Sequence, residues 1–225
     1  MIQIKNLSKV YTNGFKALDD INLYISRDEF VYLVGSSGAG KSTLLNLIFK
    51  AEEPSSGEIY IENFPLSKIP QNQIPYLRRK IGVIFQDYKL LPKRTVYENV
   101  AFALRVMHYS RAHIRRQVTQ VLELVGLTQK MKYLPSELSG GEQQRICIAR
   151  AIVNNPAILL ADEPTGSLDP DTSWDIIQLL AKINARKTTV IVATHNKSIV
   201  NAMRKRVIAL DNGKVIRDEH LGTYS

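Results

Sequence analysis

The stretch GSSGAGKST at residues 35–43 decides the fold. It has the form G-x-x-x-x-G-K-[ST], the apolar run FVYLV precedes it, and a helix-like amphipathic segment begins at Lys41. Between a strand and a helix, such glycines let backbone N–H groups face phosphate oxygens, and the helix N-terminus adds its positive end. The spacing predicts a phosphate loop in which Lys41 reaches the β- and γ-phosphates and the Ser42 hydroxyl binds Mg²⁺. The alternative, a plain Gly-rich turn, fits this context poorly.

Two acids follow a second apolar run, AILLA at residues 157–161. Asp162 and Glu163 would stand at the carboxyl end of a buried strand, where α/β folds place their ligands. We expect Asp162 to hold the Mg²⁺ shell and Glu163 to polarise the attacking water. The alternative is that the two acids cap the next helix.

The string LSGGEQQR at residues 138–145 places a serine and two glycines at the start of a helix. Such a start forms a second anion cradle, with the helix dipole directed at its ligand. One chain cannot bring both cradles to one γ-phosphate if they lie on different lobes. Two chains packed head to tail can do so, each completing the site of the other.

In their order along the chain, these motifs resemble those of the ATP-binding-cassette (ABC) ATPases, and the resemblance covers essentially the whole sequence. It implies that Tyr11 stacks on adenine and that Gln86 senses Mg²⁺ and links to a transmembrane partner. It also implies that Asp169 lies at a dimer seam and that His195 is the switch histidine. Edge packing for Tyr11, a loop role for Gln86 and a core role for His195 are the alternatives.

The predicted catalytic residues are Glu163, His195, Lys41 and Gln86, and the predicted metal ligands are Ser42, Gln86 and Asp162. The predicted nucleotide contacts are Tyr11, Gly35, Ser36, Ser37, Gly38, Ala39, Gly40, Lys41, Ser42, Thr43, Gln86, Ser139, Gly140, Gly141, Glu142 and Asp169. The cofactors that the resemblance implies are ATP and Mg²⁺.

Residues 86–100, 155–166, 168–174 and 206–219 resemble more narrowly the FtsE family of cell-division ATPases. This resemblance implies a homodimer with ATP, docked through residues 88–95 on an FtsX-type membrane permease at the inner face of the membrane. The permease would relay dimer closure to a peptidoglycan hydrolase. The alternatives are the ATPase of a solute importer or of a lipoprotein or antibiotic exporter, and a soluble nucleic-acid-associated ABC ATPase. No nucleic acid is expected as partner.

The resemblance and the hydrophobic pattern together predict an α/β fold: a P-loop NTPase (RecA-like) parallel sheet with an antiparallel β subdomain and an inserted helical subdomain. One nucleotide-binding domain would span residues 1–225, with the core and β subdomain in 1–87 and 150–225. The helical signature subdomain would occupy 88–149. We expect a strand at 30–34, a helix capped by Ser110 and ended by Gly126, and a loop-rich connection punctuated by Pro65, Pro70 and Pro75.

Composition narrows the class of protein further. With 225 residues and a single cysteine, Cys147, the chain is not a disulfide scaffold, and we expect that cysteine to be a small core residue. Apolar runs of about five residues are too short to span a membrane, and the first residues resemble no leader, so a cytoplasmic protein is expected. Thirty basic and 21 acidic residues give a net charge of +9. Basic clusters at 78–80, 111–116 and 204–206 fit solvated faces, an anionic membrane surface or nucleic acid.

Overall fold

The computed structural model describes residues 1–224. Its strands form two sheets, and helices cover them. The strands are β1 (Ile2–Val10), β2 (Lys16–Ile25), β3 (Phe30–Val34), β4 (Ser56–Ile61), β5 (Phe64–Pro65), β6 (Ile81–Ile84), β7 (Ile158–Asp162), β8 (Thr189–Thr194), β9 (Arg206–Asp211) and β10 (Lys214–Glu219). The α-helices are α1 (Lys41–Ile48), α2 (Ile74–Arg79), α3 (Val96–Arg105), α4 (Arg111–Leu124), α5 (Gly140–Ile152), α6 (Pro170–Asn184) and α7 (Lys197–Met203).

The larger sheet has the strand order β10-β9-β3-β8-β7-β6. Strands β9, β3, β8, β7 and β6 are parallel, and only the edge strand β10 runs antiparallel. Every residue of β3 is buried, because its side chains alternate between two covered faces. The predicted parallel α/β core is confirmed, and its strands end together on one side.

The smaller sheet is antiparallel, with the strand order β2-β1-β4-β5. Its inward residues pack with α1 against one face of the large sheet, to which β3 contributes Val31 and Leu33. Helices α3 to α7 pack against the opposite face, where β3 presents Phe30, Tyr32 and Val34. The molecule is therefore layered as antiparallel sheet with α1, parallel sheet, and helices.

Helix α4 begins and ends where its sequence signals predict. The Ser110 side chain accepts a hydrogen bond from the backbone N–H of His113. At the other end, Gly126 adopts a φ of 74°, and the Leu127 N–H donates to the Leu122 carbonyl at 2.8 Å. This is the hydrogen bond of a Schellman motif, which requires a left-handed residue at Gly126.

The connection before β6 contains a helix where the sequence predicted only loop. Helix α2 has Pro75 in its first turn, where the missing proline N–H has no partner to lose. The proline therefore starts this helix instead of breaking it.

Helix α3, whose bounds were not predicted, is fixed at its start by a capping box between Thr95 and Glu98. Among the helices described, none is long and apolar enough to cross a membrane.

Candidate functional site

A cavity of about 420 Å³ lies at the carboxyl ends of the parallel strands, where the phosphate loop meets the loops after β6, β7 and β8. Since parallel strands end at one edge of a sheet, residues far apart in the chain converge there. The cavity is lined by Phe15, Ala17, Ser37, Gly38, Gly40, Lys41, Ser42, Thr43, Gln86, Glu163 and His195.

The phosphate loop is held in a conformation that only glycine permits at two positions. Gly40 precedes α1 with a φ of 101°, and a Cβ at Gly35 would lie 2.3 Å from the Leu210 carbonyl oxygen. The Lys41 Nζ donates to the carbonyl oxygens of Gly35 at 2.8 Å and of Ser36 at 2.9 Å. The lysine ammonium therefore stays inside the loop, next to the position that a phosphate would take.

Asp162 has a buried carboxylate oxygen, Oδ1, that forms no hydrogen bond with residues 1–224. Burial raises the pKa of this carboxyl group, while a hydrogen bond from the Ser42 side chain works in the opposite direction. A buried carboxylate oxygen beside a hydroxyl is a donor set that suits Mg²⁺, which prefers oxygen ligands and is usually completed by phosphates and water. The residues present therefore fit the predicted metal.

Glu163 and His195 form a pair at the cavity wall. The Glu163 Oε1 lies 2.9 Å from the His195 Nδ1, with the Glu163 side chain 13% exposed and the His195 side chain 65% exposed. Glu163 has a φ of 46°, a left-handed conformation that costs a non-glycine residue roughly 1–2 kcal/mol. The Glu163 carboxylate lies beside His195, just after the end of β8, and Glu163 lines the cavity.

Of the two predicted residues Gln86 and Tyr11, only Gln86 lines the cavity, and the aromatic residue in the cavity wall is Phe15. Gln86 follows β6 by two positions and lines the cavity. Tyr11 does not line it: its hydroxyl bonds to Thr43 Oγ1 at 3.2 Å and to Glu52, and burial raises its pKa. Phe15, whose ring stacks on that of Tyr11 with centroids 6.5 Å apart, lines the cavity instead. Phe15 was not predicted, although an aromatic residue directly after the turn at 12–14 could have indicated it.

The start of α5 forms a capping box. The Ser139 Oγ accepts from the Glu142 N–H at 3.3 Å, and the Glu142 carboxylate accepts from the Ser139 N–H at 3.1 Å. Lys130 pairs with the Glu142 carboxylate and is the main cause of its lowered pKa. Glu142 is thus engaged within its own chain, while the Ser139 O–H still has its proton to donate. Residues 139–142 do not line the cavity of the same chain, as the head-to-tail hypothesis requires.

Asp169 and Gly141 both lie against Thr172, in the first turn of α6. The Asp169 carboxylate caps α6 by accepting from the Thr172 N–H at 2.9 Å, and hydrogen bonds from Thr172 lower its pKa. A Cβ at Gly141 would lie 2.4 Å from Thr172 Cγ2, so α5 and α6 approach too closely for any larger residue. The predicted signature and seam residues therefore lie next to each other.

Tyr88 ties the segment after Gln86 to two other elements through contacts that were not predicted from the sequence. Its carbonyl oxygen accepts from the Cys147 Sγ at 3.0 Å and from Arg150 at 2.8 Å, both on α5. Its hydroxyl lies 3.1 Å from the Ser167 Oγ, just before Asp169. Burial raises the pKa of Cys147 to about 12, so this thiol is a core donor, as expected, and not a nucleophile.

Residues 18–166 match the protein family described as ABC transporter. Over its whole length the chain is 55% identical to the cell division ATP-binding protein FtsE of Bacillus subtilis (strain 168), covering 98% of that protein. It is 52% identical to the protein of the same name from Mycobacterium tuberculosis (strain ATCC 25618 / H37Rv), again covering 98% of it.

Two solved structures are also similar. One is a dimeric ATP-binding cassette in a post-hydrolysis state bound to ADP and Pi, with a TM-score of 0.89, 40% identity and 99% of each chain covered. The other is cbiO1 from Clostridium perfringens, part of the ABC transporter complex cbiONQ, with a TM-score of 0.91 and 33% identity over 97% of this chain and 88% of that one.

Proposed function

Because the chain belongs to the ABC transporter family and is an ATPase of that family, we propose that it is the ATP-hydrolysing subunit of a membrane complex in cell division. In this proposal it works at the inner face of the membrane with an FtsX-type permease. Closure of an ATP-bound homodimer is relayed through that permease to a peptidoglycan hydrolase. The observation that carries the proposal is the 52–55% identity, over the full length, to relatives named cell division ATP-binding protein.

Binding of the triphosphate rests on the loop at the start of α1. The Lys41 ammonium exchanges its two carbonyl partners for the β- and γ-phosphate oxygens, and the loop N–H groups bind the remaining oxygens. Ser42 and Asp162 would hold Mg²⁺, and Gln86, which lines the same cavity, would be a further ligand. When bound, Mg²⁺ neutralises phosphate charge. The ring of Phe15 in the cavity wall offers a stacking surface for adenine, and the ring of Tyr11 stacks on that of Phe15.

Hydrolysis is proposed to depend on the carboxylate–histidine pair. The Glu163 carboxylate orients and polarises a water molecule, and His195, hydrogen-bonded to it at 2.9 Å, helps to hold the transition state. Positioning and electrostatic stabilisation supply most of the catalysis in this chemistry.

The second half of each site is proposed to come from another copy of the chain. Ser139, Gly140 and Gly141 at the start of α5 face the γ-phosphate held by the partner copy, and Asp169 lies at the seam between them. The free O–H of Ser139 and the dipole of α5 both favour an anion at that position. The similar dimeric cassette bound to ADP and Pi supports this arrangement.

The permease is proposed to dock in a groove of about 780 Å³ beside α3, which we call the α3 groove. Its exposed apolar side chains, Phe102 and Val106, suit a protein segment. The groove begins at Leu91, three residues after Tyr88, whose bonds to α5 and Ser167 connect docking to the nucleotide site. It is lined by Leu91, Pro92, Lys93, Arg94, Glu98, Phe102, Arg105 and Val106.

The test is a pull-down from detergent-solubilised native membranes with tagged Glu163→Gln and ATP, followed by mass spectrometry. We expect an FtsX-type permease, and we expect much less of it with Lys41→Ala, which cannot hold the phosphates. A solute or lipoprotein permease in its place would keep the catalytic assignment and overturn the cell-division role. Recovery of no membrane protein, together with ATP turnover stimulated by DNA, would favour a nucleic-acid-associated ATPase.

A further inference from the structure

Of the three basic clusters in the sequence, two are used by the fold. Arg206 is buried and bonds to Glu29 and Asp218, which links β9 to β10 and to the start of β3. Arg78 lies over the ring of Phe49 and donates to the Lys50 carbonyl. The cluster at 111–116 has no such role within residues 1–224, which leaves its charge available to a ligand.

Two residues of the 111–116 cluster, Arg111 and Arg115, line a hollow of about 720 Å³ between the end of α3 and the start of α4. We call it the basic hollow. His108 turns the chain between the two helices with a φ of 57°, so that Arg105 on α3 faces the same space as Arg111 and Arg115, one turn apart on α4. Tyr97 and Tyr109 complete its polar wall.

The basic hollow has a positive charge that nothing in the described chain neutralises. Its three arginines and His108 are exposed, and none forms an ion pair or a side-chain hydrogen bond with residues 1–224. No acidic residue lines it, and the first turn of α4 has none. The acid of α4, Glu123, is twelve positions beyond Arg111, about 18 Å along the helix. Since cations at a helix N-terminus also oppose the helix dipole, the positive potential favours an anionic ligand.

We propose that the basic hollow binds the phosphate headgroup of an anionic phospholipid. Arginine guanidinium groups match phosphate oxygens with two parallel N–H donors. Tyrosine, with an apolar ring and a polar tip, is typical of the membrane interface. Tyr109, which lines the hollow, is exposed, and the exposed side chains of Phe102 and Val106 line the neighbouring α3 groove. Cations beside exposed apolar side chains are typical of a surface that rests on anionic lipid.

The position of the basic hollow supports a membrane ligand over a soluble one. Arg105 lines both the basic hollow and the α3 groove, so the two are continuous. This step rests on the proposed function: if a permease segment occupies the α3 groove, the neighbouring hollow lies on the side of the molecule that faces the bilayer. Nucleic acid is disfavoured because His113 already stacks on the ring of Tyr109, with centroids 4.5 Å apart, and covers one face that a base would need.

The experiment is co-flotation of the purified chain, without permease, with vesicles. One set is phosphatidylcholine alone, and the other has equal parts of phosphatidylcholine and phosphatidylglycerol. The test variant is Arg111→Gln with Arg115→Gln. The matched control is Lys182→Gln with Arg186→Gln, two exposed cations at the same i, i+4 spacing at the end of α6, with the same change in net charge.

We expect the wild type to float with phosphatidylglycerol vesicles only, and less so as salt is added. The test variant should lose about thirtyfold in its partition coefficient, since each basic residue contributes about 1 kcal/mol at an anionic surface. The control variant should lose little, and both should keep the basal ATPase rate. No flotation of the wild type, or an equal loss in the control variant, would overturn the proposal.

Two further measurements identify the ligand. Inorganic phosphate that displaces the wild type from vesicles, beyond the effect of chloride at the same ionic strength, would show a site for free phosphate and overturn the lipid assignment. Co-purification with the permease in detergent should survive in the test variant. If it were lost while flotation stayed intact, the basic hollow would belong to an acidic protein segment. Failure of the wild type to capture a permease would overturn the proposed function and leave the vesicle result unchanged.

Discussion

Glu163 combines a left-handed backbone, a mostly buried carboxylate and a hydrogen bond to a histidine. If it polarises the attacking water, then Glu163→Gln keeps the shape of the site and removes only the basic oxygen. We expect steady-state ATP turnover to fall by about 10²–10⁴-fold with nearly unchanged ATP affinity. Glu123→Gln, at an exposed position on α4, is the control and should turn over normally. Normal turnover of Glu163→Gln would remove Glu163 from this role.

The Asp162 carboxylate, which is proposed to hold Mg²⁺, lowers the stability of the nucleotide-free fold. Because burial raises its pKa, the folded chain holds the Asp162 proton more tightly than the unfolded chain does. Ionisation of Asp162 therefore costs stability, a cost that is absent below the unfolded pKa of about 4 and complete above the raised folded value. At pH 7 without nucleotide, we expect Asp162→Asn to melt at a higher temperature than the wild type.

Thermal melts of Asp162→Asn at pH 7 and at pH 4, with and without ATP and Mg²⁺, check this expectation. The gain should shrink towards pH 4, and added Mg²⁺ should stabilise the variant less than the wild type. Asp211→Asn, an exposed aspartate at the end of β9, should show no gain. A variant less stable than the wild type at pH 7 would contradict the argument.

Helices α4 and α5 both begin with a serine N-cap, Ser110 and Ser139. Only the start of α5 is proposed to contact a nucleotide. Ser110→Ala and Ser139→Ala should each lower stability by about 1 kcal/mol, or the melting temperature by roughly 2–4 °C. Only Ser139→Ala should also lower ATPase activity, because in the proposed dimer the Ser139 O–H donates to the phosphate held by the partner copy. Equal ATPase rates in the two variants would show that Ser139 acts as a cap alone.

The hydroxyl bond between Tyr88 and Ser167 joins the segment after Gln86 to the seam before Asp169. We expect a double-mutant cycle of Tyr88→Phe and Ser167→Ala, measured by urea unfolding, to give a coupling energy of about 0.5–1.5 kcal/mol. Both single variants should change the response of ATPase activity to the permease more than they change KM. Additive effects on unfolding would mean that the two hydroxyls do not interact in solution.

The elements that sequence could predict are those whose signals are local. The apolar run of β3, the glycines of the phosphate loop and the Ser110 and Gly126 signals of α4 each depend on neighbouring residues, and each is confirmed. Helix α2 was not predicted, because a proline in a first turn and a proline in a loop look alike in sequence. The Arg150 bond to Tyr88 joins residues 62 positions apart, so no local pattern contains it. Phe15 was missed because Tyr11 was chosen as the adenine-stacking residue from its position in the motif order, which does not show which side chain lines the cavity.

At the scale of the whole molecule, the two proposed halves of the nucleotide site lie on different elements. One is the cavity at the sheet edge, and the other is the start of α5, whose residues do not line that cavity. If two copies complete each other's sites, two inactive variants should restore activity when mixed. Lys41→Ala destroys the phosphate loop of its chain, and Ser139→Arg fills the seam in front of the partner's loop. A mixed dimer of the two contains one intact site and one doubly damaged site.

Equal amounts of Lys41→Ala and Ser139→Arg should therefore recover about a quarter of wild-type ATPase activity, because about half of the randomly paired dimers are mixed and each has one working site out of two. Lys41→Ala mixed with Glu163→Gln is the control: both residues line the same cavity, so each mixed dimer has two damaged sites and no recovery is expected. Light scattering should show a dimer near twice the 25.4 kDa chain mass for Glu163→Gln with ATP. No recovery in the test mixture would mean that each chain completes its own site. Recovery in the control mixture would mean that Lys41 and Glu163 serve different sites.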